Sequence, residues 1–199
     1  SGPIALSKSG AGVQTLSGNN TYTSGTTISG GTLKLGTNTY FRCSDASTIC
    51  SPSGTKTPLF SGPVGTGTVT IGAGGTLDLN GQGASNTYGY FYNPVVMSGT
   101  GTTTSAANLL NSSTSSSAAL YGTLSLTKNG NGLYDIISQA TGSTLTVGGV
   151  ISDGSGTTAT QLQVGSGSNN GTVIFAGANT YTGALTISTG ALRASNNAA

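Results

Sequence analysis

The residue types that do chemistry are scarce in this chain. Among 199 residues there is no histidine and no glutamate, and the four carboxylates, Asp45, Asp78, Asp135 and Asp153, are scattered. Without histidine no Ser-His or Cys-His relay can be assembled. Glycoside hydrolysis needs two carboxylates facing one another across a sugar. Stacking could bring distant aspartates together, but Asp153 precedes a glycine in a common turn pair, and Asp78 alternates with Leu77 and Leu79, which predicts a solvent-facing side chain. The reading is therefore non-enzymatic, with no cofactor and no metal. Two cysteines without histidine leave too few ligands for a structural metal site. Cys43 and Cys50 lie seven apart in FRCSDASTICSPSG, a spacing that predicts a local disulfide in an oxidising compartment, the other state being two free thiols.

Two further clusters could recognise something. Tyr40, Phe41, Arg42, Lys56 and Phe60 surround the cysteines, and three of the ten charged residues fall in this stretch. Tyr88, Tyr90, Phe91 and Tyr92 place four of the twelve aromatics within five residues. Exposed rings could stack on sugars or bury against another subunit; the alternative is that they fill or cover the fold. Lys8, Lys34, Arg42, Lys56, Lys128 and Arg193 are dispersed and the net charge is only +2, so no basic track for nucleic acid exists. No stretch is apolar enough to insert as a membrane-spanning helix.

The elements that must carry these residues are legible from periodicity. Apolar residues alternate with threonine in Thr26-Thr27-Ile28, Thr32-Leu33-Lys34-Leu35, Thr68-Val69-Thr70-Ile71, Thr76-Leu77-Asp78-Leu79, Thr144-Leu145-Thr146-Val147 and Thr172-Val173-Ile174-Phe175. Each run is a strand of about four to six residues closed by Gly, Asn or Ser. Serines disfavour a helix even in 105–120. The chain also repeats itself. LSGNNTYTSGTTISGGTLKL at 16–35 returns as FAGANTYTGALTISTGALRA at 175–194, displaced throughout by 159 residues. A strand-and-turn repeat near both ends predicts a single stacked solenoid over 1–199, with insertion loops at about 38–63 and 83–95. Short strands, glycine corners and sparse aromatics suit a parallel β-helix, and the crossover rule favours a right-handed one. About eight coils are expected, a rod about 40 Å long.

ALSKSGAG with LSGNNTYTSGTTISGGTLKLG (5–12 and 16–36) resembles the autotransporter-associated β-strand repeat. The segments at 144–156 and 171–195 resemble it too, whereas 38–63 and 83–125 depart from it. The resemblance implies a right-handed β-helix displayed at a bacterial cell surface or in the extracellular space. The chain opens on Ser1 without a Met start, which suggests a processed or excised polypeptide. Neither end reads as a cap, so Ile4, Leu6, Leu192 and Ala194 are expected at end-to-end contacts. Two explanations fit: a piece cut from a longer rod, or a subunit whose ends are satisfied by copies of itself in a head-to-tail polymer. The second defines a structural subunit of a surface fibre. The competing expectation is an adhesin passenger that grips glycans or host ligands through its insertion loops.

Overall fold

A computed structural model of the chain describes residues 2–36, 61–85, 89–98, 107–127, 134–154 and 160–195. Among them there are strands and turns but no helix. The strands are β1 (Leu6–Lys8), β2 (Val13–Leu16), β3 (Thr26–Ile28), β4 (Gly31–Leu35), β5 (Val69–Ile71), β6 (Gly75–Asp78), β7 (Ala84–Ser85), β8 (Gly89–Tyr90), β9 (Val95–Met97), β10 (Leu109–Asn111), β11 (Ala118–Leu120), β12 (Leu124–Leu126), β13 (Asp135–Gln139), β14 (Thr144–Val147), β15 (Ile151–Asp153), β16 (Leu162–Val164), β17 (Thr172–Phe175), β18 (Leu185–Ile187) and β19 (Ala191–Ala194).

They assemble into three open sheets that form the faces of a right-handed parallel β-helix. The first face is β1-β3-β5-β9-β12-β15, the second β2-β4-β6-β10-β13-β16-β18 and the third β11-β14-β17-β19. Every pairing on these faces is parallel. The hairpin β7–β8 is antiparallel and belongs to none of these faces, with β7 lying beside β11. The seven-stranded face counts seven coils, a rod of about 34 Å at ~4.8 Å per strand.

Alternation sends every second residue inward, and equivalent residues of successive coils stack. On the second face Leu33, Leu77, Leu109, Ile137 and Val164 form one such column, each no more than 1% exposed. On the first face Ile28, Ile71, Met97 and Leu126 form another, all fully buried. Continuous aliphatic columns are the core of this protein, and each buried side chain contributes roughly 1.5–3 kcal/mol of transfer free energy.

Between the faces the backbone turns sharply. Gly31, at the corner entering β4, has φ of 64°, and a side chain there would meet the carbonyl oxygens of Gly10 and Gly12 in the coil beneath. Gly190, its repeat counterpart, has φ of 74°. Only glycine occupies such a conformation without strain.

Candidate functional site

Asp78 corrects one expectation. It is buried, not solvent-facing. Its carboxylate accepts hydrogen bonds from the Ser112 amide (2.9 Å), the Ser112 hydroxyl (2.6 Å) and the Asn80 amide (2.9 Å), with the Lys34 ammonium 3.7 Å away. Lys34 and Asp78 are cross-strand neighbours on β4 and β6, and Ser112 follows β10. The cluster is a three-coil staple, and the Ser112 hydroxyl gives its proton to a carboxylate instead of being activated as a nucleophile. Asp135 is also buried. Among the described residues, no group of three His, Cys, Asp or Glu is placed to hold a metal.

The aromatic candidates separate. Phe91 is completely buried and bridges to Leu120, so its ring is part of the core and is not presented to a partner. Tyr92 is half-buried and its ring packs 5.8 Å from that of Tyr121 at a tilt of 41°. Tyr90 contributes backbone to β8. Tyr40, Phe41, Arg42, Cys43, Cys50, Lys56, Phe60 and Tyr88 lie outside the described residues.

The repeated residues behave as scaffold. Tyr22 lies over Gly65, where a side chain would strike its ring, and donates to or accepts from the Thr26 hydroxyl at 3.1 Å. Burial raises its pKa, partly opposed by that hydrogen bond; burial also raises Tyr181. Asn20 donates to the Pro63 carbonyl at 2.8 Å, and Asn179 accepts from the Ile151 amide at 2.9 Å. Both asparagines bond backbone groups. The first copy of the repeat carries its strand pair on the first and second faces (β3, β4), the second copy on the second and third (β18, β19). The repeat therefore specifies a strand–corner–strand unit, and its two copies are turned by one face of the prism.

What remains is the two ends. Among the described residues β1 and β2 have no strand partner on their N-terminal side, nor do β18 and β19 on their C-terminal side, while β15 and β11 end their sheets within the rod. Of the anticipated contact residues, Ile4 is 66% exposed, Leu6 and Leu192 are half-buried against the core, and Ala194 is exposed. The two ends differ in the residues they place in the inward columns. In the inward columns Lys8 stacks on Ile28 and Gln14 on Leu33. The Lys8 ammonium folds onto the carbonyls of Gly10 (2.8 Å), Gly30 (2.9 Å) and Ser9 (3.1 Å). An inward charge on an edge strand discourages indiscriminate pairing. At the far end of the same column sits Asp153, paired with Leu126. It accepts from the Thr182 amide (2.9 Å), the Thr182 hydroxyl (2.6 Å) and the Thr160 hydroxyl (3.2 Å). The Thr182 hydroxyl bond is the main reason its pKa is lowered. The first face thus closes on an ionisable residue at each end. The C-terminal edge of the second face stays apolar, with Ile187 at 53% and Leu185 at 37% exposure. The sequence signal was available: LSK occupies the register of TTI and VTI, with lysine where its neighbours carry isoleucine.

Parallel strands in stacked columns, glycine corners and repeated strand pairs define the class as a β-helix of repeat units. The model of the passenger-associated-transport-repeat family matches residues 6–35 and 168–194. The matched segments supply β1–β4 at one end and β17–β19 at the other. No curated protein and no solved structure matches the chain.

Proposed function

We propose that this chain is a non-enzymatic structural unit of an extracellular or cell-surface rod, joined end to end with copies of itself through its terminal strand edges. The observation that carries this reading is a comparison inside the molecule. Ile28 and Ile187 are the same repeat position. Ile28, covered by β5, is fully buried, whereas Ile187, on the last described strand of its face, is 53% exposed. The second copy has the apolar inward residues of a coil within a stack. The secretion implied by passenger repeats supports a location outside the cell. Electron microscopy of the purified chain tests the reading: filaments support it, and monomers that persist at high concentration count against it.

The partly buried Tyr92–Tyr121 pair favours one second reading, a glycan-binding adhesin, because aromatic rings near a surface can stack on sugars. Monomers that bind on a glycan array, with binding lost in Tyr92→Ala, would select it.

A further inference from the structure

We infer that Lys34 and Asp78 join in an intramolecular amide, a covalent bond between adjacent coils that the Lys34–Ser112–Asp78 cluster forms on itself. β4 and β6 hold the two residues directly opposite each other. The Lys34 nitrogen stands 3.7 Å from Oδ2 of Asp78, a separation that alone describes an ion pair. The groups around the carboxyl go further. Oδ1 accepts the backbone amides of Asn80 and Ser112, both at 2.9 Å. Oδ2 accepts the Ser112 hydroxyl at 2.6 Å, and that hydroxyl oxygen accepts from the Lys34 nitrogen at 3.1 Å. The two carboxyl oxygens therefore differ. One is held by two fixed N–H donors, and the other lies at the end of a hydrogen-bonded path from the amine.

That asymmetry fits acyl transfer between groups held in place by the fold. A proton passing from the Lys34 ammonium through the Ser112 hydroxyl to Oδ2 leaves an amine beside a carboxylic acid. The Asp78 side chain is only 3% exposed, and a shielded site disfavours separated charges. The amine lone pair then attacks Cγ. Negative charge develops on Oδ1, where the two backbone amides stabilise it as an oxyanion hole does. Ser112 carries a second proton from the nitrogen to Oδ2, the Cγ–Oδ2 bond breaks and water leaves. One ammonium and one carboxylate give one amide and one water, with no oxidant or co-reactant. The donors are set in advance. Asn80 is the one non-glycine residue at positive φ (48°) among the described residues, an uncommon conformation of the kind that collects at functional sites. Its side chain is tied to the Leu35 carbonyl at 2.9 Å, while its backbone amide donates to Oδ1. The bond closes the chain between residues 34 and 78 into a ring across neighbouring coils. A pull along the rod then passes through the amide and bypasses the residues between them.

Mass spectrometry of the intact, reduced chain tests the bond. The expected mass is below that of the sequence by one water, and digestion yields a branched peptide joining Lys34 to Asp78. Lys34→Arg keeps the charge, removes the nucleophile and should restore the full mass. Asp78→Asn should give the same branched peptide with loss of ammonia instead of water. Ser112→Ala should slow bond formation after folding by about a hundredfold; an unchanged rate would overturn the relay through Ser112. A folded wild-type chain that keeps its full mass through prolonged incubation would overturn the proposal and leave the cluster a hydrogen-bonded ion pair. So would a lost water that maps to a ring at Asp78–Leu79 or to an ester at Ser112, neither of which needs Lys34.

Discussion

Ile28 and Ile187 share a sequence environment and differ in what covers them, which makes them a matched pair for measurement. Ile28→Ala removes a fully buried side chain and is expected to cost about 2–5 kcal/mol in chemical unfolding. Ile187→Ala in the dispersed chain is expected to cost less than about 1 kcal/mol, since its side chain is half exposed. The order should reverse when assembly is scored, with Ile187→Ala raising the critical concentration. Lys8 carries the opposite prediction. Lys8→Leu restores an aliphatic residue to the inward column and should lower the critical concentration by about tenfold, measured by sedimentation; no change would mean that the N-terminal edge takes no part. Asp153 supplies a pH dependence. Its folded pKa is lowered, first by the Thr182 hydroxyl, so its contribution is present above the ordinary carboxylate pKa and is lost as pH falls through the folded value. Protection of the Thr182 amide from hydrogen exchange should therefore weaken as the pH falls below the ordinary carboxylate range, and Asp153→Asn should flatten that dependence.

At the scale of elements, the corner is the unit that the sequence encodes. Alternating Thr-apolar runs located β3, β4, β5, β6, β14 and β17 because period two is a local property of the chain. Gly31 marks a corner for an equally local reason, its positive φ. Gly31→Ala should lower the melting temperature, because the new methyl group meets the carbonyls of Gly10 and Gly12 in the coil beneath; destabilisation above about 1 kcal/mol is expected. Other features depended on which coil stacks on which, and periodicity is silent there. Asp78 reads as solvent-facing from its two leucine neighbours, yet Ser112, 34 residues away, closes over it. Asn111 is buried within the fold and satisfies four backbone groups, accepting from Gly81 and Ser113 and donating to Ser116 and Thr144. Its role comes from a corner assembled by three coils. Phe91 belonged to an aromatic cluster in sequence, and only the bridge to Leu120 makes it core.

For the whole molecule, the parallel β-helix was legible because the repeat stands near both ends and the strands between share its pattern. The turn of one face between the copies was not. It follows from how many faces the intervening chain traverses, and segments such as 38–63 obscure that count. The consequence is geometric. A repeat whose copies were aligned along one side would offer like faces at both ends. This one offers the first and second faces at one end and the second and third at the other. The first-face column ends on Lys8 and Asp153, and the last described strands of the other two faces are β18 and β19.

Cryo-electron microscopy of the purified chain at assembly concentration measures the central claim most directly. The expected image is a filament whose strands continue across each joint at the ~4.8 Å spacing found within a subunit. A dispersed population in which the β18–β19 edge remains bare, or a filament built from side-to-side contacts between sheet faces, would contradict it.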